Sequence, residues 1–151
     1  MPEPAARDNT RRSARATFTD SETFLIDALR VFNLAPLRAV FGNQNITKVI
    51  HNAPFERRIL GSVGLELHGV FDTLTASRRL RGYSAIEGHS LAAVCHRELG
   101  VTLSKNLQRS DWQRRPLTTS QLEYAALDAE VLLAIHDKFA ASLPLGLPMG
   151  E

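Results

Sequence analysis

The apolar stripe of the last predicted helix is interrupted by an acid. Apolar side chains recur at helical spacing from Thr118 to about Ala141, which predicts an amphipathic helix. Asp128 lies on this stripe one turn after Tyr124, so the phenol and the carboxylate share one helix face. A carboxylate that faces a core is costly unless it is paired, hydrogen-bonded or bound to a metal. We therefore expect either a cation at Asp128 or a position at the edge of the stripe, near water or an arginine.

The rest of the chain alternates short apolar runs with helical stretches. Apolar runs predict three strands, at Phe24–Asp27, Lys48–His51 and Val70–Phe71. Helical spacing predicts helices over Pro36–Phe41 and Phe55–Leu60, a third from Asp72-Thr73 through Arg81, and a fourth from His89 or Ser90 to Glu98. Thr118 and Gln121 form a capping-box pattern at the start of the last helix. Strand followed by helix, three times, predicts an α/β fold with a helical C-terminal half.

Composition favours a single domain with flexible N- and C-terminal segments. Residues 1–17 are rich in Pro and Arg and predict a flexible arm, residues 18–143 form the domain, and residues 144–151 predict a flexible tail. With 151 residues, 44% of them hydrophobic, the chain can bury a core. A single cysteine, and no apolar run near the roughly 18 residues of a membrane span, predict a cytoplasmic protein. The net charge of +2 permits a polyanionic partner without requiring one.

A second polar cluster follows the predicted strand Lys48–His51. Ligands of open α/β sheets bind at the carboxyl ends of the strands, where Asn52 and Glu56 lie in this chain. The structural alternative is that Asn52 or the turn caps the next helix and Glu56 complements its dipole. For Asp72, after the third strand, we favour a helix cap over a ligand.

Five separated segments together resemble ribonuclease D and its DEDDy 3′-5′ exonuclease relatives, over about Phe24 to Phe139. They are His51-Asn52-Ala53-Pro54-Phe55-Glu56, Val70-Phe71-Asp72-Thr73, Gly88-His89-Ser90-Leu91-Ala92, the loop with Lys105–Gln108, Ser110-Asp111-Trp112 and Arg115-Pro116-Leu117-Thr118, and Tyr124-Ala125-Ala126-Leu127-Asp128. Each motif alone is weak, and their common order and spacing make the signal strong.

The resemblance implies a ribonuclease H-like fold that hydrolyses nucleic acid from a free 3′ end, RNA more than DNA. Family members hold two divalent ions, Mg²⁺ or Mn²⁺, with four acidic residues. Transferred by position, Asp128 and Glu56 are metal ligands and Tyr124 orients the attacking water. Two ions about 3.5 to 4 Å apart clamp the attacking and leaving oxygens and require hard carboxylate ligands.

The chain departs from the family pattern in two places. Glu56 stands where Asp is usual, so its carboxylate extends one methylene further. The first motif, an Asp-x-Glu on the opening strand, has no counterpart at the expected distance, which reaches back to Met1. Asp20-Ser21-Glu22 has the right letters but aligns with a turn, and we do not assign it as the ligand pair. We expect an N-terminally truncated sheet.

A missing central strand leaves neighbouring backbone groups unpaired. We expect it to come from a partner chain, from a swapped homodimer or from residues upstream of a misassigned start; a rearranged domain is the remaining option. The alternative to an active nuclease is a catalytically inactive relative that binds nucleic acid or serves as a scaffold.

The sequence also offers candidate contacts to nucleic acid. Asn52, Phe55 and Arg57, beside the proposed site, are the candidates. For Phe55 the alternatives are stacking on a terminal base and filling the core, and we favour the core. We expect Trp112 to anchor its loop.

Overall fold

A computed structural model describes residues 22–143. The predicted arm over residues 1–17 and tail over residues 144–151 lie outside the described residues. Four short elements come first: a 3-10 helix at Ala35–Leu37, helix α1 at Arg38–Phe41, strand β1 at Lys48–Ile50 and helix α2 at Ala53–Ser62. They are followed by strand β2 at Val70–Asp72, helix α3 at Thr73–Arg81, helix α4 at Leu91–Leu99 and helix α5 at Thr119–Ser142.

The sheet of the described residues has two parallel strands. Lys48 is paired with Val70 and Ile50 with Asp72, so both strands end at the same edge of the sheet. Helix α2 forms the crossover between them, as parallel strands require. The predictions of these two strands and of the following helices are confirmed. The carboxyl ends of β1 and β2 therefore bring the turns after both strands together.

The prediction of a strand at Phe24–Asp27 is wrong, because this segment pairs with no strand of residues 22–143. Among residues 22–143 its apolar run has no sheet neighbour to supply backbone partners, and all three apolar side chains are substantially exposed. The segment is instead fixed by side chains. Thr23 Oγ1 donates to Glu130 at 2.9 Å, and Arg115 forms two hydrogen bonds with Asp27, at 2.6 and 2.7 Å.

Helix α5 organises the core. It packs against α3, α4 and β1, and its Ile135 and Phe139 are fully buried with Val94 and Cys95 of α4. Its N-terminus is the predicted capping box: the Thr118 side chain accepts from the Gln121 backbone, and the Gln121 side chain accepts from the Thr118 backbone. The preceding Arg115–Pro116 peptide is cis.

Among residues 22–143, no helix has both the length and the apolar composition to cross a membrane.

Candidate active site

The predicted pair on α5 is in contact. The Tyr124 hydroxyl donates a hydrogen bond to the Asp128 carboxylate, one turn further along the same helix face. Burial raises the pKa of the Asp128 carboxyl, and the hydrogen bond from Tyr124 opposes that rise only in part. No arginine or lysine among residues 22–143 forms an ion pair with this carboxylate, so the arginine alternative is not observed within this range. Asp128 is thus a half-buried acid whose ionised form lacks a cation in the described part of the chain.

The phenol of Tyr124 is fixed from two sides. The Gln108 side chain donates to its oxygen, and the Trp112 ring lies 5.9 Å away, centroid to centroid, at an angle of 48°. Trp112 itself donates from Nε1 to the Leu107 carbonyl at 3.0 Å, which confirms the predicted loop anchor. Burial and the negative charge of Asp128 raise the pKa of the Tyr124 hydroxyl. It therefore remains a proton donor at neutral pH. The role of Gln108 was missed because a loop contact leaves no periodic signal.

Cys95 lies beneath this pair in the core. Burial, reinforced by the Asp128 charge, raises the pKa of its thiol to about 11. The thiol is therefore neutral at physiological pH and is a poor nucleophile or metal ligand. Its contribution is packing between α4 and α5.

Glu56 lies in the first turn of α2, after the end of β1. Burial raises the pKa of its carboxyl, and no ion pair within residues 22–143 offsets this. Glu56 thus shares with Asp128 the character of a desolvated acid that lacks a described cationic partner. No group of three or more His, Cys, Asp or Glu side chains in this range is placed to hold a metal.

Asp72, rather than Asn52, caps helix α2. The Asn52 side chain makes no capping hydrogen bond, and its backbone has a φ of 77°, a left-handed conformation that Asn tolerates better than most residues. The backbone N–H groups of Asn52 and Ala53 donate to the Asp72 carboxylate instead, at 2.9 and 3.1 Å. The Asn52 side chain therefore does not cap the helix, and the prediction that Asp72 is a helix cap is confirmed.

Phe55 is not in the core. Its side chain is 46% exposed, and the Arg58 guanidinium lies over the ring, 5.3 Å from the centroid. The preference for a core position fails because Phe55 lies on the outer face of the first turn of α2, whereas Ala53 of that turn points inward. Arg57 is half-buried on the same turn.

An open cleft of about 680 Å³ adjoins the Tyr124 side chain. Its walls come from the first half of α5, the loop after α4 and the segment at Leu25. The apolar lining residues include Leu25, Leu103, Leu107, Leu122 and Leu127. The phenol therefore faces a space large enough for a substrate group.

Comparison with known proteins assigns the family. The 3′-5′ exonuclease family model matches residues 6–144. This chain belongs to the 3′-5′ exonuclease family. Ribonuclease D of Escherichia coli is 35% identical over 134 residues, which cover 80% of this chain and 32% of that protein. The exosome complex exonuclease RRP6 of Saccharomyces cerevisiae is 35% identical over 127 residues, 83% of this chain and 17% of that protein.

Solved structures agree with this assignment. Escherichia coli ribonuclease D superimposes with a TM-score of 0.65 at 33% identity, covering 78% of this chain and 31% of that one. Brucella melitensis NrnC bound to pGG gives a TM-score of 0.65 at 31% identity, covering 75% and 54%. The predicted ribonuclease D-like, ribonuclease H-like exonuclease fold is thus confirmed. The chain spans 14% to 33% of the curated relatives named in the comparison, so it corresponds to one part of those longer proteins.

Proposed function

We propose that this chain is a metal-dependent phosphodiester hydrolase that shortens nucleic acid from its 3′ end, RNA in preference to DNA. The observation that carries the proposal is the hydrogen-bonded Tyr124–Asp128 pair, in which a desolvated carboxylate lies beside a proton-donating phenol at the edge of an open cleft. The names of the relatives, ribonuclease D and exosome exonuclease, support RNA as the substrate.

The donor chemistry fits divalent cations. Asp128 and Glu56 offer hard carboxylate oxygens, and Mg²⁺ is commonly held by one or two carboxylates together with water and substrate phosphates. Bound Mg²⁺ or Mn²⁺ supplies charge neutralisation at the phosphate and an activated water. The two-ion arrangement that the family resemblance implies needs further carboxylates, from outside residues 22–143 or from a partner chain.

The residues of this chain have separate tasks in the proposal. Asp128 and Glu56 bind metal, and the Tyr124 hydroxyl, held by Gln108 and Trp112, orients the attacking water. Phe55, beside Glu56 and exposed, stacks on a terminal base, while Asn52 and Arg57 contact the sugar-phosphate backbone. We place this activity in the cytoplasm.

Incubating the chain with 5′-labelled single-stranded RNA or DNA and Mg²⁺ or Mn²⁺ tests the function. We expect a ladder of products shortened from the 3′ end, faster with RNA, abolished by EDTA and by Asp128→Asn. Asp137→Asn, on the exposed face of the same helix, is the control and retains activity. Intact substrate with the wild-type chain and both metals would refute catalysis by this chain alone.

One observation favours a second function. Within residues 22–143, no three potential ligands gather, and the second acid carries the extra methylene of Glu56. Both facts suit a relative that binds nucleic acid without cleaving it. For this function, oligonucleotide binding persists in EDTA while no substrate is shortened, and its salt dependence reflects arginine and lysine contacts.

A further inference from the structure

An exposed aromatic ring in contact with an arginine guanidinium follows helix α3, and it resembles the Phe55–Arg58 pair. Tyr83 is 81% exposed, and the Arg78 guanidinium lies 5.7 Å from the centroid of its ring. Phe55 and Arg58 form a pair of the same kind on α2. An exposed ring beside an unpaired guanidinium is the combination that binds single-stranded nucleic acid, because a base stacks on the ring and the cation attracts phosphate. Within residues 22–143, neither Arg58 nor Arg78 forms an ion pair with an acid.

The segment Gly82–Ser90, which carries Tyr83, is held rigidly at both ends. His89 bonds through Nε2 to the Gly82 carbonyl at 2.9 Å and through Nδ1 to the Ser77 hydroxyl at 2.8 Å. Arg97 donates to the Gly88 carbonyl at 3.0 Å and to Ser77 at 2.8 Å. These four contacts hold the two ends of the segment against the side chains of Ser77 and Arg97, whereas Tyr83 is exposed.

This segment also reaches the sheet edge that carries the candidate site. The His51 ring, at the end of β1, hydrogen-bonds to the His89 backbone, and its Nδ1 lies 2.9 Å from Thr73 Oγ1 at the start of α3. The positive charge of Arg78 acts on His51 as well. Phe55 follows His51 by four residues. The two Arg–aromatic pairs therefore belong to elements that meet at the carboxyl ends of β1 and β2.

We propose that Tyr83 and Arg78 form a second base-stacking position, which holds a nucleotide of a single strand whose 3′ end lies at Glu56 and Asp128. The inference rests on the proposed function for the polarity of the strand, but the binding it describes does not require cleavage. Stacking on Tyr83 needs an unstacked base, because a base inside a duplex has both faces covered by its stacking neighbours.

Fluorescence anisotropy with the full chain, EDTA and a labelled oligoadenylate of about 10 nucleotides tests the proposal. We expect Tyr83→Ala and Tyr83→Leu to weaken binding by about 5- to 100-fold, and Tyr83→Phe to retain it, since stacking needs a ring. Arg78→Ala should lower the slope of log Kd against log salt by about one unit. Phe32→Ala removes another exposed ring, outside helix α2 and the segment Gly82–Ser90, and should leave binding unchanged.

Equal affinity of wild type, Tyr83→Ala and Tyr83→Leu would overturn the stacking position. Equal losses for Phe32→Ala and Tyr83→Ala would also overturn it, because any exposed ring would then suffice. These results are separable from failure of the proposed function. A chain that binds through Tyr83 but never shortens RNA refutes catalysis alone, and a chain that shortens RNA equally well with Tyr83→Leu, at unchanged affinity, refutes the stacking position alone.

Discussion

The Asp72 carboxylate joins the start of its own helix to the start of a helix that is distant in sequence. One of its oxygens accepts hydrogen bonds from the Asn52 and Leu74 backbones, at 2.9 and 3.0 Å. The other accepts from the Ala53 backbone and from Thr75 Oγ1, at 3.1 and 3.0 Å. Asp72 is buried, so these four donors replace water around its charge. The first turn of α2, which carries Glu56, is thereby locked to α3.

Asp72→Asn should destabilise the fold without touching a proposed metal ligand. The amide keeps one acceptor oxygen but places an NH₂ group against two of the four donors. We expect a loss of about 2 to 4 kcal/mol in the free energy of unfolding, measured by urea titration. Asp137→Asn, at an exposed carboxylate, is the control and should change stability little. Equal stabilities of the two variants would show that the four hydrogen bonds contribute nothing.

Local sequence patterns predicted helix α5 well. They predicted that Asp72 caps its own helix, but not that it also binds the start of helix α2. The capping box at Thr118 and the apolar stripe to Phe139 are contained in contiguous sequence, and the structure follows them. Asp72 as the cap of its own helix is a local signal of the same kind. Its bonds to Asn52 and Ala53 depend on the pairing of β1 with β2, which brings residues about 20 positions apart into contact.

At Phe24–Asp27 a clear local pattern led to a wrong prediction, because the strand it predicted lacks a partner in the described fold. A run of apolar residues predicts burial, but a strand also needs a neighbour for its backbone groups, and local sequence does not reveal whether one is present. Within the candidate site, spacing alone predicted that Tyr124 and Asp128 share a face. The Gln108 contact depends on a loop conformation and had no signal in the helix pattern.

Tyr124→Phe should separate catalysis from folding and metal binding. The substitution removes the hydroxyl that contacts Asp128 and Gln108 but keeps the ring that packs against Trp112. We expect turnover of labelled RNA to fall by about 10- to 100-fold, because the water-orienting donor is lost. The rise in melting temperature on adding Mn²⁺ should remain. Asp137→Asn, at an exposed carboxylate of the same helix, is the control and should cleave normally, whereas full activity of Tyr124→Phe would exclude the orienting role.

Glu56→Asp should raise activity if Glu56 binds metal. The shorter side chain restores the residue that the family resemblance implies and removes one methylene between backbone and ligand. We expect cleavage to increase by roughly tenfold, equivalent to about 1.4 kcal/mol of transition-state stabilisation. The same change at Glu66, an exposed residue on the loop before β2, should have no effect. A rate for Glu56→Asp below that of wild type would count against the assignment of this position.

Asp27 and Arg115 should make the fold sensitive to acid. The Arg115 guanidinium lowers the pKa of the Asp27 carboxyl to about 2. A depressed carboxyl pKa stabilises the fold above the unfolded value of about 4, and this contribution is lost as the pH falls towards 2. Asp27→Asn should therefore melt at a lower temperature than wild type near neutral pH, and the two melting curves should converge in acid. A constant difference across that range would show that the ion pair is not responsible.

Asp128→Asn should produce a more stable but inactive protein. Burial raises the pKa of the Asp128 carboxyl, so the folded chain binds that proton more tightly than the unfolded chain and the ionised form costs stability at neutral pH. In EDTA at about pH 7.5 we expect the variant to melt at a higher temperature than wild type, because Asn carries no charge to desolvate. The difference should shrink as the pH falls and wild-type Asp128 becomes protonated.

Metal addition completes that test. Mn²⁺ should raise the melting temperature of wild type by supplying the missing cation at Asp128, and Asp128→Asn should not respond. Asp137→Asn, at an exposed carboxylate of the same helix, should have the melting temperature of wild type both in EDTA and with Mn²⁺. Two results would contradict this role of Asp128: a lower melting temperature of Asp128→Asn than of wild type in EDTA, or an equal rise in melting temperature of both proteins with Mn²⁺. Either would show that the carboxylate stabilises the fold itself and does not act as a metal ligand.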